Sequence, residues 1–282
     1  MPKPKDFQSY FSDELASIEH ALDAALPTPT PPAAVLHEAM RYGVIPGGKR
    51  IRPLVVLSVV NALGGDVQYA LPAAAAIELL HSYTLIHDDL PCMDDDAVRR
   101  GQPTVHVKYG EATALLAGDA LLTLSFEQAV QTPHDPARVA RLLAEAAGAK
   151  GVIAGQIADL QAVAVADVSA DTLTFIHTNK TAALFRAAAA MGVCAAGKGN
   201  DDALMHTFAQ FGLALGLAFQ YVDDLLDATT DTAFSSVRVL GDETVRTRAD
   251  QYTNQALAAI EALGSSAEPL RILAQFMLRR EV

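Results

Sequence analysis

The sequence predicts an all-α protein folded as one bundle of about ten mainly antiparallel helices. Three observations carry this. Apolar residues recur three and four apart in alanine-rich stretches along most of the chain, and strand signatures (period-two alternation, tight hairpin dipeptides) are scarce. Connectors such as "GGD", "AAGKGN" and "TPHDP" are short enough to join antiparallel neighbours.

In chain order, helical periodicity covers 33–42, 51–63, 71–88, 111–130, 137–161, 171–191, 201–228 and 242–262. "PLVVLSVV" has the residue types of a strand, but no alternation follows and no second run pairs with it. The proline cluster "LPTPTPP", residues 26–32, is the one clear connector, and it isolates an N-terminal helix from the rest. With no internal repeat or Pro/Ser/Gly-rich linker, residues 1–282 read as a single domain that includes the helix and connector of residues 1–32.

Of the 282 residues, 51% are hydrophobic and 19% charged, enough to bury a large core. A formal charge of −12 argues against nucleic acid or an anionic membrane as the main partner. No run reaches the roughly eighteen apolar residues of a membrane span, and the start "MPKPKDFQSYF" lacks an apolar signal region. Cys92 and Cys194 form neither a disulfide framework nor a metal-ligand spacing, so a cytoplasmic protein is expected.

Two acidic clusters stand out. Asp88, Asp89 and Asp94 begin where the apolar run "IELLHSYTLIHDD" ends, and Pro91 should bulge the chain so that Asp94 returns to the same mouth. In "QYVDDLLD", Asp223 and Asp227 lie one helical turn apart on one face, with Asp224 beside them. These are hard oxygen donors without histidine or cysteine at ligand spacing, a set suited to Mg²⁺ that shares its remaining positions with water and phosphate oxygens. A solvated charge run or a salt-bridge ladder over residues 88–100 is the plainer alternative. Against it stand the apolar helices that each cluster interrupts, and cationic groups placed to hold an anion: Gly47 and Gly48 before Lys49, Arg50 and Arg52, then Arg99 and Arg100.

The blocks "GGKRIRP", "LIHDDLPCMDDDAVRRGQPTVH", "LAGDALLTLSF", "GQIADL", "HTNKTAALFRAA" and "GLAFQYVDDLLD", in that order, resemble the trans-isoprenyl diphosphate synthases, most closely the bacterial farnesyl diphosphate synthases, from about residue 34 onward. The resemblance implies a helical bundle around a deep central cavity, the isoprenoid synthase fold. It implies condensation of an allylic diphosphate (dimethylallyl or geranyl) with isopentenyl diphosphate, mainly to farnesyl diphosphate. About three Mg²⁺ ions per site, with Mn²⁺ as an alternative, follow from it, and so does a homodimer, with which the apolar helix "TALLAGDALLTLSF" is compatible. Carried across by position, Asp88 and Asp94 ligate two ions, and Asp223 holds the third with Asp224 and Asp227 in support. Arg99, Lys180 and Gln220 bind the allylic diphosphate, and Gly48, Lys49, Arg52, His81 and Arg100 bind isopentenyl diphosphate. Hydroxyl and carbonyl groups at Lys180–Thr181 stabilise the allylic cation. Tyr83 and Thr84, five and four positions before Asp88, set product length, with Tyr83 as the floor.

Without the resemblance, His81 and Tyr83 read as a satisfied core histidine and a packed aromatic, whereas Lys180, in an alanine-rich helix, favours a buried anion partner over a polar helix turn. Phe126 and Phe219 read as core. The second aspartate motif usually leads into a glycine-lysine loop; here "DDLLDATTDTAFSSVRVLGDE" follows, with no lysine after Lys198. Either the natural chain lacks that loop or residues are missing between about Thr232 and Ser236, which an intact mass decides; Arg238 is a candidate substitute. A geranylgeranyl or geranyl diphosphate synthase is the nearest alternative. A terpene cyclase would have no need of the Lys49/Arg52/His81 site, and a non-catalytic regulatory subunit could survive loss of the aspartates that this chain keeps.

Overall fold

The computed structural model describes residues 4–163, 168–227 and 236–278. Its helices are α1 (Pro4–Tyr10), α2 (Ser12–Ala25), α3 (Ala34–Val44), α4 (Ile51–Ala62), α5 (Leu71–Asp88), α6 (Val105–Tyr109), α7 (Glu111–Val130) and α8 (Pro136–Ala147). They continue as α9 (Val152–Val163), α10 (Ala170–Ile176), α11 (Ala183–Ala195), α12 (Asp202–Asp227), α13 (Ser236–Leu240), α14 (Asp242–Ala259) and α15 (Glu268–Leu278). Helix α5 packs along α7, α11 lies between α4 and α12, and α12 is backed by α14. Among the described residues no helix is long and apolar enough to cross a membrane.

The sequence of α4 settles as helix because it is buried almost all round: Pro53 through Val60 are all in the core. Helix propensity disfavours each valine by only tenths of a kcal/mol, whereas burying one contributes about 1.5–3 kcal/mol. Helices α5 and α11 are buried in the same way, and none of the three shows a continuous polar stripe.

Three expectations are corrected. The stretch 137–161 is two helices, because the chain turns tightly at Gly148–Gly151, where a Cβ on Gly151 would lie 2.0 Å from the Ala146 carbonyl oxygen. The helix before the proline cluster is not isolated: Ile18 and Leu22 of α2 have no exposed surface, and α2 packs on α4 and α5. In "VRRGQP", a two-stranded antiparallel hairpin forms, β1 (Val98–Arg99) with β2 (Gln102–Pro103). Its loop residues Arg100 and Gly101 both take positive φ, as a two-residue hairpin turn requires. The short helices α1, α6 and α13 fall in stretches too brief to show periodicity, and the predicted helix 171–191 is α10, a π-helical turn and the start of α11. The stretch 228–235, where the loop after the second motif was expected, lies outside the described residues.

Candidate active site

The loop between α3 and α4 builds a cavity of about 510 Å³, whose wall includes Gly48, Lys49, Arg52, His81, Arg100 and Phe219. Arg50 fixes this loop. Its guanidinium is fully buried and donates to Glu19 Oε1 (2.7 Å), Glu78 Oε1 (2.9 Å) and the Val44 carbonyl (2.7 Å). Glu78 is hydrogen-bonded to Arg50, and Lys49, Arg52 and Arg100 also line the cavity. Arg100 donates to the Gly47 carbonyl, and its Nη2 would lie 2.7 Å from a Cβ on Gly48, so a side chain there would displace the Arg100 guanidinium. The Arg52 guanidinium stacks over Phe185 at 4.6 Å and leaves its buried Nε without a protein partner. Burial pulls Arg52 down to about 10, against the pull of Glu78 and Asp223 in the other direction. Burial, then the charges of Arg52 and Arg100, push His81 well below the usual imidazole value, so it is neutral at pH 7.

The end of α5 forms an acidic mouth. The chain turns at Pro91 and the Asp94 amide donates back to the Asp88 carbonyl at 2.9 Å, as the bulge required. Burial first, and then the charge of Asp94, raise Asp88 to about 7 even though Lys180 opposes them. Lys180 is ion-paired to Asp159 of α9 and coupled electrostatically to Asp88 and Asp94. It projects from a π-helical turn, His177–Ala182, which joins α10 to α11. Arg99 bridges Asp89 (2.6 Å) and Asp96 (3.1 Å), so part of the acid-base run is the ladder considered above.

Below this mouth lies a mostly apolar pocket of about 260 Å³. Helix α5 contributes Tyr83, Thr84, His87 and Asp88; α9 contributes Val152, Ile153, Gln156, Ile157 and Leu160. Tyr83 is buried, its ring 5.5 Å from and perpendicular to that of His87.

On α12, Asp224 is buried with both carboxylate oxygens engaged. Oδ1 accepts from Gln220 Nε2 at 2.8 Å; Oδ2 accepts from the Ser236 amide at 3.0 Å and lies 3.4 Å from His177 Nε2. Burial alone would raise Asp224, but the bonds from His177, Ser236 and Gln220 outweigh it and hold the carboxyl below its usual range. Gln220 Oε1 in turn accepts the Thr181 hydroxyl at 2.6 Å. Asp223 is felt electrostatically by Arg52 of the cationic cavity. The Asp227 side chain lies outside the described residues. Arg238 is exposed on α13 and does not line either cavity described above.

Several functional groups escape sequence reasoning. Asp159 and Gln156 lie in the quoted block "GQIADL", but only the fold shows that one pairs Lys180 and the other lines the apolar pocket. Phe219, expected as plain core, lines the cationic cavity. His177, Glu19 and Glu78 are defined by partners on other helices. The signal available for Asp159 was Lys180 itself, since a lysine in an apolar helix needs a carboxylate.

The carboxylates at the mouth fit a hard divalent cation: they offer oxygen donors only, and Asp88 and Asp94 are close enough to feel each other's charge. Among the described residues no three acidic, histidine or cysteine side chains converge into a cage.

Residues 33–244 match the family described as polyprenyl synthetase, and the chain belongs to that family, the trans-isoprenyl diphosphate synthases. The chain is 38% identical over 299 aligned residues to a chloroplastic geranylgeranyl pyrophosphate synthase of Capsicum annuum, spanning 99% of this chain and 80% of the relative. The fold superposes with a TM-score of 0.91 on the apo structure of an FPP/GFPP synthase from Zymomonas mobilis, at 36% identity over 98% of this chain and 100% of that one. A geranyltransferase from Helicobacter pylori gives 0.86 at 35% identity, over 97% of this chain and 98% of the other.

Proposed function

We propose that the protein is a Mg²⁺-dependent prenyltransferase that joins isopentenyl diphosphate to dimethylallyl or geranyl diphosphate and makes mainly farnesyl diphosphate and pyrophosphate. The observation that supports it is the double use of α5: His81 faces a cavity walled by Lys49, Arg52 and Arg100, while Asp88 rims an apolar pocket with Tyr83 in its wall. One helix thus serves an anion site and a prenyl site.

Asp88 and Asp94 are assigned to hold metal, as is Asp223 with Asp224 and Asp227 in support. Bound Mg²⁺ supplies Lewis-acid stabilisation of the charge that grows on the leaving diphosphate. Arg99 and Lys180 bind that diphosphate, and their carboxylate partners hold them at the mouth. The carbon–oxygen bond breaks with its electron pair passing to pyrophosphate. The double bond of the second substrate, held by its own diphosphate against Lys49, Arg52 and Arg100, then attacks the allylic carbon, and pyrophosphate takes the proton that is lost. No protein base is needed, and the apolar walls keep water from the cation.

Incubation with geranyl and isopentenyl diphosphates plus Mg²⁺ should release pyrophosphate and yield a fifteen-carbon product. No turnover in folded protein would overturn the assignment. Replacing Tyr83 with alanine should shift the product toward twenty carbons or more; an unchanged spectrum removes Tyr83 as floor. The second reading, a geranylgeranyl diphosphate synthase, is favoured by the name of the pepper relative and would show twenty carbons in the unaltered protein. We further propose a homodimer, for which the exposed Leu115 and Leu116 of α7 supply apolar surface. The free thiols Cys92 and Cys194 are compatible with a reducing cytoplasm.

A further inference from the structure

We propose that Tyr42 is a positioning residue for both diphosphate sites at once: its hydroxyl holds the β1–β2 hairpin where Arg99 reaches the acidic mouth and Arg100 the cationic cavity. The inference rests on the function proposed above and adds to it a residue that lines neither of those two cavities.

The hairpin does not hold its own place. Two strands of two residues are marginal in water by themselves. The turn between them puts Arg100 at φ +54°, in the left-handed region, which an arginine keeps only where its surroundings hold it. The hairpin is tied to the body of the protein by Arg99 to Asp89, by Arg100 to the Gly47 carbonyl, and by Tyr42, whose hydroxyl donates to the Pro103 carbonyl at 2.8 Å. The first two ties use the guanidinium groups that are to grip diphosphates, so they weaken as those groups turn to a ligand. The Tyr42 bond stays made when both arginines are engaged.

Pro103 pairs with Val98, and Gln102 with Arg99, so a grip on Pro103 is a grip on the strand that carries Arg99 and leads into Arg100. Asp88 and Asp94 both feel the Arg99 charge, while Arg100 lines the cationic cavity. Because the two arginines are consecutive, one shift of the strand misplaces both. A cavity of about 50 Å³ behind the hairpin, whose wall includes Leu85, Ile86, Arg99 and Arg100, gives a released hairpin space to shift. Tyr42 itself is anchored on α3, with the Lys108 ammonium 3.8 Å from its ring and Tyr109 edge-on at 5.6 Å, both from α6 just after the hairpin. A phenylalanine keeps the ring and these contacts, so Tyr42→Phe removes the hydroxyl alone.

Steady-state kinetics with geranyl and isopentenyl diphosphates should show both KM values raised about three- to tenfold in Tyr42→Phe, the range of one lost hydrogen bond. In an Arg100→Met background the same change should move the isopentenyl diphosphate KM by less than about 1.5-fold, because no guanidinium is left to place. In a Lys49→Met background, where the cavity keeps Arg100, the full effect should reappear. No rise, a rise in one KM alone, or an equal rise in every background would overturn the proposal and leave Tyr42 a packing residue. Calorimetric binding of pyrophosphate without Mg²⁺ reads the cationic cavity without turnover, and it should weaken by the same factor in Tyr42→Phe and lose that sensitivity in Arg100→Met. If the unaltered protein binds pyrophosphate but shows no turnover, the functional assignment fails, while the binding cycle still decides the role of Tyr42.

Discussion

At His81 the sign of a charge is set by its neighbours. Burial and the cations Arg52, Arg100, Arg50 and Arg99 all disfavour a protonated imidazole, so the folded protein refuses a proton that the unfolded chain accepts below about 6.5. The unfolded state then binds more protons, and stability falls as pH drops below that value, with a slope of at most about 1.4 kcal/mol per pH unit from this group. Replacing His81 with glutamine should flatten the urea-unfolding free energy between pH 6.5 and 5 relative to the unaltered protein. Parallel profiles would show that His81 does not titrate against folding. The residues legible in the sequence are of this kind: Lys49 follows Gly47–Gly48, Arg52 and Asp88 stand in the helix ends that border that loop and the Pro91 turn, and Asp94 lies just past Pro91. Asp159, His177 and Glu78 lie inside helices, and their roles come from Lys180, Asp224 and Arg50, each far away in sequence. No local pattern carries that information.

Elements make the site by close approach, and α9 meets the π-helical turn backbone to backbone. A Cβ on Gly155 would lie 2.3 Å from the Lys180 backbone nitrogen and 2.7 Å from its Cα, where no flexible side chain can give way. Gly155→Ala must therefore part the two elements, at a cost of about 1–3 kcal/mol. It should also loosen the Asp159–Lys180 pair that bridges them, so activity falls together with the unfolding midpoint. Gly64→Ala is the control: its φ of +71° brings strain, but nothing lies within 4 Å of the new methyl and no site element moves. A Gly155→Ala protein of unchanged stability and activity would contradict the packing described. The helices themselves were legible where they run long, and the break at Gly148–Gly151 was not, because apolar spacing continues across it from α8 into α9. The π-helical turn is invisible to periodicity for a related reason. One extra residue per turn shifts the following apolar face by about a quarter turn, and α11 is buried on every side, so no face exists to register the shift.

On the scale of the molecule, the two ends of the chain meet at the cationic cavity. Phe7 of α1 stacks on Phe276 of α15 with ring centroids 3.8 Å apart, and the Lys49 ammonium lies 5.6 Å from the Phe276 ring. Gln8, next to Phe7, lines the same cavity. A helix that the proline connector seemed to set apart thus helps to place the lysine expected to grip a diphosphate. Phe7→Ala removes an aromatic pair contributing about 0.5–1.5 kcal/mol beyond its buried area, and leaves Phe276 without its facing ring. Helix α1 is short and packs chiefly on α15, so the loss should appear as local undocking, with faster amide exchange in α1, rather than as global unfolding. Lys49 then loses a fixed platform. Pyrophosphate affinity at this cavity and KM for isopentenyl diphosphate should each weaken about fivefold, the equivalent of about 1 kcal/mol, while kcat at saturation is retained because the acidic mouth and Lys180 lie on other elements. Undocking of α1 with unchanged pyrophosphate affinity would mean that Lys49 is held by the α3–α4 loop alone, and that the chain ends contribute only stability.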